Sequence, residues 1–475
     1  MDEKKRLMKN SAIIAIGGFS SKMIAFLLLP LYTAYLSTSE FGDYDYIMTI
    51  SMMVAPFVTM LMQESMFRFL IDAKEEEQNR VISHSIFIIL ANSLIFSLIM
   101  VGLYLVIQDI FMLYVMFYVY SLVIAGFVGA IYRGIGKMAK FTIFNFLLSI
   151  TAVVCNIIFI VGFKWGLFGL FGGFVVSHFV IGVLALLDIR IWKYLSIKGL
   201  SIKYIKEMLK FSIPLIPNSI SWTIINFSDR IIIYNVLGDS SNGIYSVSCK
   251  FPSLIDTVYG FFLTAWRESS ARVLHGTKEE AQKFYNDMYK NLKHVLFCFS
   301  LMVIALMPLL YKLLVNISFH DGYIYSFILI LAVYCSNISG FYGGIFTAYK
   351  ETRIMGTSTI IAAILNLAIN FSLVYFIGLY AAAISTLVSG IYIVIHRRIQ
   401  VKKYITFSKD TKFTVLASIM TLIIVGLFLF NNLIICFVSV ALVTAFTVYT
   451  NLPLIKAVYR KLKKKKEKKK NDLSC

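Results

Sequence analysis

Two apolar segments in the middle of the 475-residue chain carry charged side chains where a membrane helix normally has none. These residues are Asp229 and Arg230 in segment 210–237, and Lys250, Asp256 and Arg267 in segment 243–270. One charge near the centre of a bilayer costs about 2.5–3.5 kcal/mol on insertion scales, so such residues are functional candidates. Cations in a protected cleft bind anions through charge-assisted hydrogen bonds, and the excess of cations here predicts an anionic ligand.

The polar residues of both segments recur at helical spacing. The first stripe contains Ser219, Thr223, Asn226 and Arg230, and the second contains Lys250, Ser253, Thr257, Gly260, Thr264 and Arg267. Because lipid cannot satisfy polar groups, each stripe is expected to face protein or a water-filled cavity.

Charges also occur in the first two apolar segments of the chain, as Lys22 in the first and Glu64 and Arg68 in the second. We therefore predict a substrate-binding set of Lys22, Arg230, Lys250, Arg267 and Asn226. We predict an acidic set, lining the cavity or coupling transport to an ion, of Glu64, Asp229 and Asp256. The alternative is that these charges pair and only hold helices together, which is the favoured interpretation for Glu64 and Arg68, four residues apart. Snorkelling to the interface explains Arg267 equally well.

The composition identifies the class of protein. Hydrophobic residues make up 59% of the chain and charged residues 15%, against about 25% charged in soluble domains, so an all-α polytopic membrane protein is expected. The net charge of +20 lies mostly between apolar segments, which argues against nucleic acid as a partner. The six cysteines have no paired spacing, and no GxxxxGK[ST] motif occurs. We expect no metal, no cofactor and no enzymatic activity.

Fourteen apolar segments are long enough to span a bilayer. Alternate connections differ sharply in charge, and only seven of the 45 Lys and Arg residues lie outside one set of connections. By the positive-inside rule that set is cytoplasmic, which places both termini in the cytoplasm.

The chain also repeats itself. LSTSEFGDY at residues 36–44 matches LGDSSNGIY at residues 237–245, and Asn156 matches Asn370. This predicts two pseudo-symmetric six-helix lobes with a site between them, plus two further helices. The predicted divisions are a first lobe 1–189, a cytoplasmic linker 190–209, a second lobe 210–397, two helices in 398–452 and a basic cytoplasmic tail 453–475. The linker predicts an interfacial amphipathic helix through Leu200, Tyr204 and Met208.

Three stretches resemble the bacterial polysaccharide flippases, of O-antigen and capsule type, in the multidrug/oligosaccharidyl-lipid/polysaccharide exporter superfamily. They are KNSAIIAIGGFSSKMIAFLLLPLYTAYLSTSEFGDYDY, SDRIIIYNVLGDSSNGIYSVSCKF and the paired Gly- and Ala-rich helices that end at Ser177 and Ser389. The resemblance covers residues 5–400.

This resemblance implies a V-shaped pair of lobes like that of the multidrug exporters, with a cationic central cavity that opens to each side in turn. The implied substrate is an oligosaccharide on a polyprenyl diphosphate, flipped from the cytoplasmic to the outer leaflet of the bacterial cell membrane. Lys22, Arg230 and Lys250 would meet the diphosphate or acidic sugars, and a monomer surrounded by membrane lipids is expected. An ion gradient, the membrane potential or the substrate gradient would drive transport, so a coupling cation is a candidate partner.

Three alternatives remain open at this stage. A lipid II flippase is one, since that group also has fourteen helices. A drug/cation antiporter of the same superfamily would favour acidic and aromatic residues in its cavity. A membrane polysaccharide polymerase or ligase is of a different class, and it needs a larger outer loop than any in this chain.

The charge pattern makes a prediction about topology. In a cysteine-free background, cysteines placed at Ser240 and Asn432 should react with a membrane-impermeant maleimide in intact cells, and cysteines at 463–470 should react only after permeabilisation. Labelling of the tail in intact cells would show that the fourteen-helix arrangement is wrong.

Overall fold

The structure is a computed structural model that describes residues 26–195 and 200–471. Within these ranges all regular structure is helical. The α-helices are α1 (Leu29–Tyr35), α2 (Thr38–Thr59), α3 (Met62–Asp72), α4 (Glu75–Ile107), α5 (Phe111–Gly134), α6 (Met138–Asn156), α7 (Gly166–Ile189), α8 (Ile202–Ser212), α9 (Ile216–Leu237), α10 (Asp239–Ser248), α11 (Lys250–Arg272), α12 (Lys278–Leu314), α13 (Tyr323–Ala348), α14 (Thr352–Ile377), α15 (Leu379–Val401), α16 (Thr411–Phe428) and α17 (Leu433–Asn471).

Ten of the described helices are long and apolar enough to cross a membrane, and the bent pair α2 and α3 raises the number to eleven. The protein is therefore a multi-pass, all-α membrane protein, as predicted. The charge-bearing helices α9 and α11 are not among the ten, and most of the first predicted span precedes the described ranges. The count of fourteen spans is compatible with these numbers and stays a prediction.

Contacts within the chain define two compact units. One extends to Val247 and takes in Ile317–Phe319 and Leu367–Ala382, and the other takes in Ser248–Asn316, His320–Asn366 and the chain from Ala383 onward. The predicted division into two six-helix lobes was based on the sequence repeat rather than on contacts, and it stays a prediction.

The second predicted span, residues 43–70, is broken rather than continuous. Met60 and Leu61 adopt left-handed backbone conformations with φ of 47° and 48°, and α2 and α3 meet there at a bend of 54°. Thr59 spans the break, because its hydroxyl donates to the Ala55 carbonyl at 2.9 Å and accepts from the Leu61 amide at 3.2 Å. Left-handed backbone conformations are costly for residues other than glycine. The uninterrupted apolar sequence therefore gives no sign that the helix ends here. The break gives α3 its own direction.

The amphipathic helix predicted in the linker is present as α8, and its apolar face packs on protein. Met208 is fully buried, and its carbonyl accepts a hydrogen bond from the Ser65 hydroxyl of α3 at 2.9 Å. At the start of α8, the Ser201 amide donates to Nε2 of His84 at 2.9 Å. These contacts fasten the linker helix to α3 and α4.

The two C-terminal helices α16 and α17 pack on α12 in the second unit. Asp410, which immediately precedes α16, accepts from Lys293 at 3.0 Å and contacts His294 at 2.6 Å. Desolvation alone would raise the pKa of Asp410, but the hydrogen bonds from His294 and Lys293 outweigh it and lower this pKa to about 2. Asp410 therefore stays charged at neutral pH and ties α16 to α12.

The segments that match in sequence lie against each other in the first unit. Gly42 of α2 and Gly243 of α10 face each other so closely that a Cβ on either would lie 1.9 Å from a backbone carbonyl oxygen of the other helix. Around this contact the Ser39 hydroxyl donates to Asp239 at 2.7 Å, and Asn242 donates to the Gly42 carbonyl at 2.9 Å. The repeat in the sequence thus marks a crossing of two helices that only glycine permits.

Gly42→Ala should lower the stability of the folded protein, because the new methyl group collides with the backbone carbonyl of Asp239. Overpacking of this kind costs about 1–3 kcal/mol, so the melting temperature in detergent should fall clearly. Gly102→Ala is the matched control, since a Cβ there has no neighbour within 4 Å. Equal melting temperatures for the two variants would contradict the close approach.

Candidate functional site

The polar stripe predicted on the first charged segment lies on α9. Pro217 stands in the first turn of this helix, where a missing amide hydrogen costs nothing. The Thr223 hydroxyl donates to the Ser219 carbonyl at 3.1 Å, and the Asn226 amide donates to the Trp222 carbonyl at 2.7 Å. In these hydrogen bonds the Thr223 hydroxyl and the Asn226 side-chain NH2 group act as donors. The Thr223 hydroxyl oxygen and the Asn226 side-chain carbonyl oxygen can still accept hydrogen bonds.

A cavity of about 470 Å³ opens between α9 and the start of α3. The lining residues are Leu61, Glu64, Leu215, Ser219, Trp222, Thr223, Asn226 and Phe227. Glu64 reaches it because the break at Met60 and Leu61 starts a new helix there. The structure therefore brings together two predicted site residues, Glu64 and Asn226, from distant parts of the chain.

Arg230 forms a buried ion pair with Asp45 of α2. Its Nε lies 2.7 Å from Oδ2 of Asp45, and the side chains are 11% and 2% exposed. The guanidinium also donates to the Asn226 carbonyl at 3.0 Å and lies 4.8 Å from the ring centre of Phe227. Arg230 is thus paired with an aspartate of α2 that was not among the predicted site residues.

Asp229 belongs to a different network, as expected from its different direction on the helix. Its carboxylate accepts from the Tyr245 hydroxyl at 3.0 Å and from the Asn370 amide at 2.9 Å. Asn156, the counterpart of Asn370 in the sequence repeat, donates to the Tyr32 hydroxyl at 2.7 Å. In both halves of the sequence, then, the matched asparagine bonds to a helix at the start of its own half.

A second contact joins α9 to α2, one turn beyond Arg230 on α9. The Tyr234 hydroxyl donates to Asp43 at 2.8 Å, and the Tyr234 ring stacks on Tyr46 with a centroid separation of 3.8 Å. Asn235 donates to the Tyr46 hydroxyl at 3.3 Å. Polar side chains thus line the contact between α2 and α9 at two successive levels.

The remaining predicted residues are placed less completely. Lys22 and the side chain of Arg267 lie outside what the structure describes. Lys250 begins α11 and is partly buried, and Asp256 is exposed on the same helix. Both belong to the second unit, and their assignment to a substrate site stays a prediction.

Sequence reasoning did not include Asp43 and Asp45 among the site residues, although both lie at the start of the predicted span 43–70. The signal was the Ser37 and Glu40 capping box, in which the Ser37 hydroxyl accepts from the Glu40 amide at 3.1 Å and Glu40 accepts from the Ser37 amide at 2.9 Å. A helix that begins at Thr38 already contains Asp45 in its third turn. That position makes Asp45 an intramembrane acid and a candidate partner for Arg230.

The fold of the chain is that of a class of membrane transporters. A lipid II flippase, MurJ, in an inward closed conformation, matches 94% of this chain and 100% of its own with a TM-score of 0.71 and 16% identity. An inward-facing multidrug resistance MATE family transporter of the MOP superfamily matches 82% of this chain and 98% of its own, with a TM-score of 0.63 and 15% identity. At these identities the likeness is one of fold.

The family follows from the sequence comparison. The model of the polysaccharide biosynthesis protein family matches residues 7–266, more than half of the chain, and the chain belongs to that family. An uncharacterised membrane protein of Methanocaldococcus jannaschii is 26% identical over 264 residues, which are 51% of this chain and 62% of that relative. The resemblance inferred from the sequence is thus confirmed at the level of family and of fold.

The ion pair predicts a specific rescue. Arg230→Gln leaves Asp45 buried without its counter-charge, which costs about 3–5 kcal/mol for pairs of this kind, so the level of folded protein should fall. Adding Asp45→Asn should restore much of that level, whereas adding Asp229→Asn should not, because Asp229 bonds to Tyr245 and Asn370. Folded protein is measured by fluorescence-detected size exclusion. Rescue by Asp229→Asn instead of Asp45→Asn would overturn this pairing.

Proposed function

We propose that the protein moves an oligosaccharide carried on a polyprenyl diphosphate from the cytoplasmic to the outer leaflet of the bacterial cell membrane by alternating access. The observation that supports this most strongly is membership of a polysaccharide biosynthesis family combined with the fold of membrane transporters. The polar cavity between α3 and α9 supplies an internal surface for a hydrophilic cargo.

Moving a diphosphate-linked glycan across a bilayer requires a membrane protein with a polar path. A diphosphate carries at least two negative charges and cannot cross about 30 Å of hydrocarbon unaided. A hydrated cleft replaces its solvation, while the polyprenyl tail stays in lipid. The protein needs to supply a polar path and a change of exposure, and no covalent chemistry.

In this proposal Lys22, Lys250, Arg267 and Arg230 meet the anionic part of the substrate, with Asn226 beside them. Glu64, Asp229 and Asp256 shape the cavity or couple transport to an ion. The described state keeps Arg230 on Asp45, so a substrate phosphate reaches it only after this ion pair opens. Opening and closing of that pair is a candidate step of the transport cycle.

Orientation and energy supply complete the proposal. The cationic connections support a cytoplasmic position for both termini by the positive-inside rule. The driving force is an ion gradient, the membrane potential or the substrate gradient, and the protein acts as a monomer.

Two alternative cargoes are each supported by one specific observation. Lipid II is one, because the fold of the lipid II flippase MurJ matches 94% of this chain and all of its own. An organic cation is the other, because the cavity contains Glu64 and the aromatic Trp222, as expected for a drug/cation antiporter.

Deletion of the gene should make cells accumulate complete lipid-linked repeat units in the cytoplasmic leaflet, because assembly continues while export stops. Lipids are analysed by mass spectrometry after periodate treatment of intact cells, which oxidises only outer-leaflet glycans. Re-expression of the chain is the control. Exported but unpolymerised units would favour a polymerase, and rescue of cells depleted of their lipid II flippase would favour lipid II.

A further inference from the structure

The cavity between α3 and α9 has an unusual lining for a membrane protein. Of its eight lining residues, Glu64 is the one that carries a charge, and Ser219, Thr223 and Asn226 add hydroxyl and amide groups along one face of α9. Trp222 completes this wall with a side chain that is 49% exposed. The lining thus combines hydrogen-bonding groups, a carboxylate and an open aromatic ring.

A second cavity in the same unit shows what a lipid chain would require. It measures about 380 Å³ and is lined almost wholly by apolar side chains of α4, α5 and α7, such as Ile89, Phe127 and Leu186. A hydrocarbon chain gains by burial against such walls and loses wherever it covers unpaired polar groups. The cavity at Trp222 is therefore poorly matched to a lipid tail.

The cavity is also poorly matched to a phosphate. The one charged lining residue is an acid, and its charge repels that of a phosphate. The nearest cation on α9 is Arg230, four residues after Asn226 and therefore about 6 Å from it along the helix axis. Arg230 is paired with Asp45.

We propose that this cavity is a glycan subsite, in which an uncharged or amino-bearing sugar stacks on Trp222. A pyranose ring has one comparatively apolar face, which an aromatic ring covers, and hydroxyl groups at its edge, which the Glu64 carboxylate and the Asn226 and Thr223 oxygens accept. This inference rests on the proposed function and refines it, because it separates the binding of the glycan from that of the diphosphate. It also predicts discrimination, since Glu64 disfavours sugars that carry a carboxylate.

The test uses the purified full-length chain in nanodiscs and two soluble probes, N,N′-diacetylchitobiose and a hyaluronan tetrasaccharide. Saturation-transfer NMR, which detects weak binding, should show chitobiose bound and the uronate-containing tetrasaccharide bound at least tenfold more weakly. Glu64→Gln should narrow that gap, because it removes the repelling charge and keeps the size of the side chain.

The Trp222 variants test the stacking. Trp222→Leu should weaken chitobiose binding about tenfold, the size expected for the loss of one aromatic contact, and Trp222→Phe should retain most of it. Trp192→Leu is the matched control, because Trp192 is 52% exposed and lies outside this cavity. Melting temperatures show that each variant is folded.

Several results would overturn the inference. They are equal chitobiose binding by folded Trp222→Leu and wild-type protein, no binding of chitobiose up to its solubility limit, preference for the tetrasaccharide, and displacement of chitobiose by tetraphenylphosphonium at much lower concentration. A proteoliposome assay with a lipid-linked disaccharide separates this failure from failure of the proposed function. If the wild type translocates the disaccharide and Trp222→Leu does so equally well, only the subsite proposal is wrong. If the wild type binds chitobiose but translocates nothing, only the proposed flippase function is wrong.

Discussion

The close approach of α2 and α10 at Gly42 and Gly243 is the constraint on which the described site depends. Each glycine lets the backbone of one helix lie against a carbonyl of the other, at a distance that no side chain tolerates. Helix α9 precedes α10 by a single residue, Gly238, whose φ of 91° turns the chain. Because α10 is fixed against the start of α2, α9 is carried back along α2. Its tyrosine and arginine then meet Asp43 and Asp45 in succession.

Several charges of this unit consequently have partners on neighbouring helices, while Glu64 lines a cavity. Arg230 and Asp45 compensate each other where water is scarce, and Asp229 is held by neutral donors from α10 and α14. A buried ion pair contributes little net stability but is costly to break on one side only. Such a pair favours one arrangement of two helices strongly over others.

The break between α2 and α3 determines where polar groups face open space. If the helix continued through Met60 and Leu61, Glu64 would follow the direction of α2. The 54° bend instead brings the start of α3 to the cavity that Ser219 and Asn226 of α9 line. The packing of α8 on α3, through Ser65 and Met208, supports this direction from the other side. The cavity with Trp222 exists because these two supports hold α3 away from α9.

The sequence by itself determined the membrane class, the helices and the polar face of α9, because these depend on composition and on the spacing of neighbours in the chain. It also detected the repeat at residues 36–44 and 237–245, without showing that the two copies touch. Only the tertiary structure decided that Arg230 pairs with Asp45 and that Glu64 and Asn226 line the same cavity. Both arrangements bring together residues that are far apart in the chain, and several carboxylates were equally available to one arginine. The choice among them follows from the glycine crossing and the left-handed break, which are properties of packing and backbone conformation rather than of local pattern.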